Sequence, residues 1–173
     1  MKVLKFGGSS LANPARFRDV ADISSHYAAD TPVMLVLSAP QGVTNDLVAL
    51  VSAAQQGGDW QAALDSLQAR FEALIIDADP ALPEYERHAL LQAARDQVQV
   101  LADYAKGIAL LQHCPDPVQA RMLGTGEQFS VALMTASLKA RGLDAGDLDA
   151  TRLVKSQGDY LNASADIPAT IAA

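Results

Sequence analysis

The chain has 173 residues, of which 50% are hydrophobic and 19% are charged, and its formal net charge is −7 at pH 7. This length supports one domain whose core buries about two-thirds of the surface of the unfolded chain. The negative charge argues against a nucleic-acid-binding surface, which needs clustered Lys and Arg. The single cysteine, Cys114, excludes an internal disulfide, and the three scattered histidines lack metal-ligand spacing.

The composition also argues against membrane insertion and export. No apolar run approaches the roughly 20 residues of a membrane span. The strand-like start, Met1-Lys2-Val3-Leu4, lacks the charged region, apolar stretch and small-residue cleavage site of a secretion signal. We therefore expect a cytoplasmic protein.

The first predicted strand ends in the turn Lys5-Phe6-Gly7-Gly8-Ser9-Ser10. Two glycines leave the backbone N–H groups uncrowded, so that they can surround a phosphate, and Lys5 adds positive charge there. The Walker motif places its lysine after the glycines, and the dinucleotide fingerprint requires a third glycine, so neither motif is present. The turn predicts a phosphate site of another kind, although an isolated Gly-Gly pair is usually a structural turn.

A helix and a second strand follow this turn. Asn13 and Pro14 are typical of a helix N-cap and first helical residue, and apolar residues recur at helical spacing to about Tyr27. The apolar run 33–37 predicts a strand that is covered on both faces of a parallel sheet. Together these segments predict a βαβ unit.

The second strand leads into a polar loop over residues 38–45, at the same sheet edge as the glycine turn. Ligands of open α/β sheets bind at this edge. Ser38 and Thr44 can therefore hold a second molecule beside the phosphate, which predicts a site for two substrates.

Most of the remaining chain is predicted to be helical, with apolar stripes that form the core. The predicted segments are a helix near 47–54, helices over 59–78 and 84–112, a short helical stretch from 116, a helix over 127–141 that ends at Gly142, a weak strand candidate over 143–151, and a helix start at 166–168.

Three groups of residues together resemble the amino-acid kinase family. They are Lys-Phe-Gly-Gly-Ser-Ser-Leu-Ala at the start, Val-Leu-Ser-Ala-Pro followed by Thr44-Asn45, and Gly126-Glu127 at the start of a helix. The resemblance is to aspartate kinases in particular, and the segment 107–116 is similar to the kinase part of the bifunctional aspartokinase/homoserine dehydrogenase I type. The resemblance covers the whole chain. It implies an α/β fold with an open, mostly parallel sheet, flanking helices and a helical insertion.

The resemblance also implies roles for seven residues. It assigns phosphate binding to Lys5, Gly7, Gly8 and Ser9, with Lys5 also catalytic, and it assigns aspartate binding to Ser38, Thr44 and Glu127. Purely structural roles are the alternative: Thr44 can be a helix N-cap, and Glu127 can be an acid favoured by the helix dipole.

The implied activity is ATP-dependent phosphorylation of the side-chain carboxylate of L-aspartate to 4-phospho-L-aspartate, the first step of lysine, threonine and methionine biosynthesis. ATP and Mg²⁺ are the implied cofactors, with no metal ligand in this chain, and the implied partners are the two substrates and further copies of the enzyme in a homo-oligomer. The family's nucleotide-binding and regulatory motifs do not occur before Ala173. We therefore expect residues 1–173 to be the N-terminal, acceptor-binding lobe of a longer enzyme and to be inactive alone. In the bifunctional type, a homoserine dehydrogenase follows downstream.

Two alternatives stay open at this point. Another amino-acid kinase, acting on glutamate, N-acetylglutamate, carbamate or a nucleotide, would share the opening glycines without pairing Thr44 with Glu127. A non-catalytic assembly module would instead use the long helices 59–78 and 84–112 as a partner interface.

Overall fold

The computed structural model describes residues 1–172, in which helices predominate over short strands. In chain order the elements are β1 (Lys2–Phe6), a 3₁₀ turn (Gly8–Leu11), α1 (Pro14–Ala28), β2 (Val33–Leu37), α2 (Val43–Gln55), α3 (Trp60–Ile76), α4 (Glu84–Leu111), α5 (Asp116–Leu123), α6 (Thr125–Ala140), α7 (Ala150–Leu153), β3 (Ser156–Gln157), β4 (Ser164–Ala165) and α8 (Ile167–Ala172).

The predicted βαβ unit is confirmed. β1 and β2 are parallel neighbours, with Lys2 opposite Val33 and Phe6 opposite Leu37. The side chain of Asn13 accepts a hydrogen bond from the backbone N–H of Arg16 at 3.0 Å and so caps α1, which crosses from one strand to the other. This unit, with helices packed around it, confirms the predicted α/β fold class.

The main core lies between the helices and one face of the β1–β2 sheet. Aromatic stacking joins α3 to α6, since the ring centroids of Phe71 and Phe129 lie 4.1 Å apart at an interplanar angle of 10°. The largest fully buried side chains are Phe17, Phe71, Leu11, Leu47, Leu50, Leu67, Ile75, Leu101, Met122, Leu133, Met134 and Val43. These residues recur at helical spacing because each helix turns one apolar face inward.

An ion-pair network connects the α3–α4 loop to α1 and α6. Asp79 is buried in that loop and pairs with Arg141, which directly follows α6. The same guanidinium contacts Asp22 of α1 at 3.0 Å. Arg87 donates to the carbonyl oxygen of Ile75, in the last turn of α3, and to that of Asp79, in the loop that follows. A side chain therefore satisfies a carbonyl group that has no hydrogen-bond partner within the helix.

Two predicted boundaries differ from the structure. The weak strand candidate over 143–151 is wrong, because Asp149 instead accepts from the N–H of Thr151 and caps the short helix α7. Helix α6 begins at Thr125, two residues before the predicted start, because Gly126 has helical backbone and packs closely against a neighbouring loop. The helix predicted from 166–168 is present as α8.

The sheet has one covered and one uncovered face, so the prediction that residues 33–37 are covered on both faces is wrong for the part of the chain that the structure describes. Phe6 and Leu35 pack against the core, whereas Val3, Met34 and Val36 are exposed.

Within residues 1–172, no helix has an apolar stretch long enough to cross a membrane.

Candidate functional site

The carboxyl ends of β1 and β2 bring two of the sequence motifs side by side. The backbone N–H of Ser38, directly after β2, donates to the carbonyl oxygen of Phe6 at 3.1 Å. The glycine turn and the polar loop 38–42 therefore leave the sheet from adjacent points. This edge is where open α/β sheets bind ligands.

Gly8 allows the glycine turn to pack directly onto the polar loop. A Cβ atom at position 8 would lie 3.0 Å from the carbonyl oxygen of Ala39 and 3.5 Å from the backbone nitrogen of Gln41. Because both contacts are with backbone, a side chain here would push the two loops apart. Gly8 is therefore required by a close approach of two backbones.

Gly126 brings the start of α6 against the same loop. A Cβ atom at position 126 would lie 2.6 Å from the Cβ of Ala39 and 2.9 Å from Cγ1 of Val43. Both distances are well inside normal carbon–carbon contact of about 3.5–4.0 Å. Ala39 is thus the common contact of Gly8 and Gly126, and the three motifs meet around it.

The two charged candidates have unsatisfied polar groups at this meeting point. The Lys5 ammonium lies over Gly7, with Nζ 3.5 Å from the position a Gly7 Cβ would occupy. Within residues 1–172, Lys5 forms no ion pair. Glu127 is half-buried in the first turn of α6, and its Oε2 atom is enclosed without a hydrogen-bond partner among the described residues. A buried carboxylate oxygen without a donor is destabilised, so it favours a cationic ligand.

The hydroxyl candidates differ in their accessibility. Ser9 is exposed in the 3₁₀ turn, Ser38 is half-buried, and Thr44 is exposed in the first turn of α2. The N-cap of α2 is Gly42, in the left-handed region with φ 87°, so the alternative interpretation of Thr44 as an N-cap is wrong. The roles in phosphate and aspartate binding of all seven candidates stay predictions.

Arg70 contacts this loop, and sequence reasoning did not identify it. Its Nη1 atom donates to the carbonyl oxygen of Gln41 at 3.1 Å and lies 3.2 Å from Oδ2 of Asp46. Arg70 lies on α3, in the middle of a helix with an ordinary apolar stripe. Nothing in its local sequence distinguishes it from a solvated surface arginine.

The charged groups at this edge of the sheet differ in the ligands that they suit chemically. Lys5 and the backbone of the glycine turn have the charge and donors that a phosphate requires. Among residues 1–172, no group of three or more His, Cys, Asp or Glu side chains is placed to hold a metal.

Comparison with known proteins connects this geometry to one family. The model of the amino acid kinase family matches residues 1–170. The bifunctional aspartokinase/homoserine dehydrogenase of Buchnera aphidicola is 28% identical over 96% of this chain. The corresponding protein of Haemophilus influenzae is 31% identical, also over 96% of this chain.

A solved structure supports the same relationship at the level of the fold. The structure of Escherichia coli aspartokinase III in complex with aspartate and ADP matches 98% of this chain with a TM-score of 0.83 and 25% identity. The chain spans 36% of that protein and about a fifth of the two bifunctional relatives, at 21% and 20%.

Proposed function

This chain belongs to the amino acid kinase family, and we propose that residues 1–173 form the acceptor-binding lobe of an aspartokinase. The observation that carries the proposal is the meeting of the three motifs around Ala39, which places the glycine turn and Gly126, the residue before Glu127, against one loop. The E. coli relative that matches 98% of this chain binds aspartate and ADP. Its match supports the same acceptor and the same nucleotide for this family member.

In the proposed reaction, an oxygen of the aspartate side-chain carboxylate attacks the γ-phosphorus of ATP. The bond between that phosphorus and the bridging oxygen breaks, and ADP leaves with the bonding electron pair. The attacking carboxylate needs no general base because it is ionised at neutral pH. Two anions must nevertheless approach each other, so positioning and charge neutralisation supply most of the rate.

The described residues divide these tasks. Lys5 lies over Gly7 and would neutralise charge on the transferring phosphoryl group, while the turn's N–H groups and Ser9 would donate to its oxygens. Glu127 would accept from the ammonium group of aspartate, because its Oε2 atom is enclosed without a donor among residues 1–172. Ser38 and Thr44 would hold the aspartate from the polar loop. Discrimination against acceptors without an ammonium group would follow.

The rest of the catalytic apparatus is proposed to lie in sequence that the longer relatives have outside the matched region. Such sequence would hold most of ATP and would supply ligands for Mg²⁺. Residues 1–173 alone should therefore give no ADP release with aspartate in a coupled assay. Homo-oligomerisation and a cytoplasmic location stay predictions of the same kind.

Acceptor binding can be tested by calorimetric titration of the full-length protein with L-aspartate and with succinate, which lacks the ammonium group. Glu127→Gln should weaken L-aspartate binding at least about tenfold, since it removes one charge-assisted contact, and should leave succinate binding nearly unchanged. Glu84→Gln is the matched control, because Glu84 is an exposed first-turn acid of α4 that lies outside the site. Equal losses in both variants would contradict the role of Glu127.

Turnover with a panel of acceptors separates aspartokinase from the other amino-acid kinases. We expect phosphorylation of L-aspartate and none of glutamate, N-acetylglutamate or carbamate. Preference for any of those three would contradict aspartate as the acceptor but would leave the proposed phosphate site standing. Absence of turnover with all four would contradict the proposed kinase activity.

A further inference from the structure

We infer that Arg70 is a positioning residue for the acceptor site, although it lies on α3 and its side chain is not among the groups around Ala39. Its guanidinium contacts the loop 39–42 at Gln41, whose backbone also approaches the glycine turn. The predicted effect of Arg70 on aspartate affinity rests on the proposed function. Its predicted effect on the loop rests on the observed contacts alone.

Two partners on separate elements fix the guanidinium. Arg70 Nη1 donates to the carbonyl oxygen of Gln41 at 3.1 Å, and the same nitrogen lies 3.2 Å from Oδ2 of Asp46, in the first turn of α2. Exposed ion pairs alone contribute little. A charged donor shared between a carboxylate and a backbone carbonyl restricts the loop more, because the carbonyl belongs to the segment being held.

The loop has the shape that this contact requires. Gly42 has φ 87°, and a Cβ atom there would lie 2.9 Å from Arg70 Nη1. A side chain at position 42 would therefore displace the guanidinium as well as strain the backbone. The glycine makes room for the arginine at the residue next to the carbonyl that the arginine binds.

The held segment lies between Arg70 and the rest of the site. The backbone of Gln41 receives the guanidinium on its carbonyl, and its nitrogen lies 3.5 Å from the Cβ position of Gly8. Ala39, two residues earlier, contacts Gly126 next to Glu127. Movement of this loop away from α3 would change the separation between the phosphate turn and the carboxylate proposed to bind the ammonium group.

Hydrogen exchange and binding measured on the full-length protein test the inference. Arg70→Ala should raise the amide exchange rate of residues 41–46 and weaken L-aspartate binding about fivefold. Arg70→Lys should give a smaller loss, because an ammonium group keeps the charge but not the planar guanidinium fork. Arg95→Ala is the matched control, since Arg95 forms an exposed ion pair with Glu72 of α3 at 2.9 Å without contacting the loop.

A second pair of variants approaches the same contact from the loop. Gly42→Ala should weaken aspartate binding. Gly57→Ala is its control: Gly57 has φ 69° and nothing within 4 Å of its Cβ position, so this variant introduces only the backbone strain and should leave aspartate binding unchanged. Unchanged loop exchange in Arg70→Ala would overturn the inference even if wild-type protein binds aspartate. Equal aspartate affinities in Arg70→Ala and Arg95→Ala would overturn it as well. The exchange comparison needs no ligand, so it judges the contact separately from the proposed function, which fails if wild-type protein does not bind aspartate.

Discussion

Replacing Gly126 with alanine should destabilise the folded chain, although replacing glycine with alanine within a helix normally stabilises a protein. The new Cβ atom would lie 2.6 Å from the Cβ of Ala39 and 2.9 Å from Cγ1 of Val43. The closer contact is about 1 Å shorter than normal carbon–carbon packing. Since Ala39 Cβ is attached directly to the backbone, α6 or the loop must move.

The size of the effect follows from two opposing contributions. Overpacking of this kind costs about 2–3 kcal/mol, and replacing glycine with alanine within a helix contributes about 0.5–1 kcal/mol of stabilisation. The net free energy of unfolding should fall by about 1–2 kcal/mol. For a chain of this length the midpoint of thermal unfolding should fall by about 3–6 °C.

Gly107→Ala is the matched control for this substitution. Gly107 lies inside α4, and nothing lies within 4 Å of its Cβ position. This variant should unfold about 2 °C higher than wild type, because only the helix contribution remains. Urea denaturation and thermal unfolding of both variants give the comparison. If Gly126→Ala is as stable as Gly107→Ala, the close packing of α6 against the loop is wrong. If Ala39→Gly fails to restore part of the stability lost in Gly126→Ala, Ala39 is not the residue that limits the space.

Three further predictions concern charge and the thiol. Lys5→Met should lower kcat of the full-length protein about a hundredfold or more while its unfolding midpoint stays near that of wild type, and near-normal turnover would contradict the electrostatic role. Arg141→Met should lower the free energy of unfolding by about 3 kcal/mol, because it leaves the buried carboxylate of Asp79 without its partner, whereas loss of an exposed arginine should cost at most about 1 kcal/mol in the same urea titration. Burial raises the pKa of the Cys114 thiol, and the carboxylate of Asp116 raises it further. The reactive thiolate is therefore scarce below that raised pKa, and Cys114 should react with a disulfide reagent at pH 7 at least about tenfold more slowly in folded than in urea-unfolded protein. Equal rates would show that Cys114 is accessible.

Local sequence signals predicted most of the elements because each signal acts within a few residues. Asn13 and Pro14 are a local start signal for α1, and this prediction is confirmed by the hydrogen bond that Asn13 accepts from the N–H of Arg16. The long helices are recognisable because their apolar stripes repeat over several turns. The strand prediction over 143–151 is wrong because the side chain of Asp149 caps the start of α7 through a local hydrogen bond.

The site was predictable only in part, because some of its contacts join residues far apart in the chain. The glycine turn and the pair Gly126-Glu127 have recognisable local patterns, and their resemblance to a family brought them together. Arg70 has no such pattern, since its contact with Gln41 depends on how α3 packs beside the loop. Gln41 and Asp46, the two partners of Arg70, precede it by 29 and 24 residues, and contacts at such separations leave no periodic signal in the sequence. Contacts of this type require the folded chain.

The crowding around Ala39 also restricts how the sequence can vary. Gly8 and Gly126 have no space for a side chain because Ala39 and its neighbours occupy it. A larger residue at any one of the three positions must be matched by a change at another, so these positions should be inherited as a set. Thr44, by contrast, is exposed. If the proposed acceptor site is correct, a library at Thr44 should alter acceptor preference without unfolding the chain.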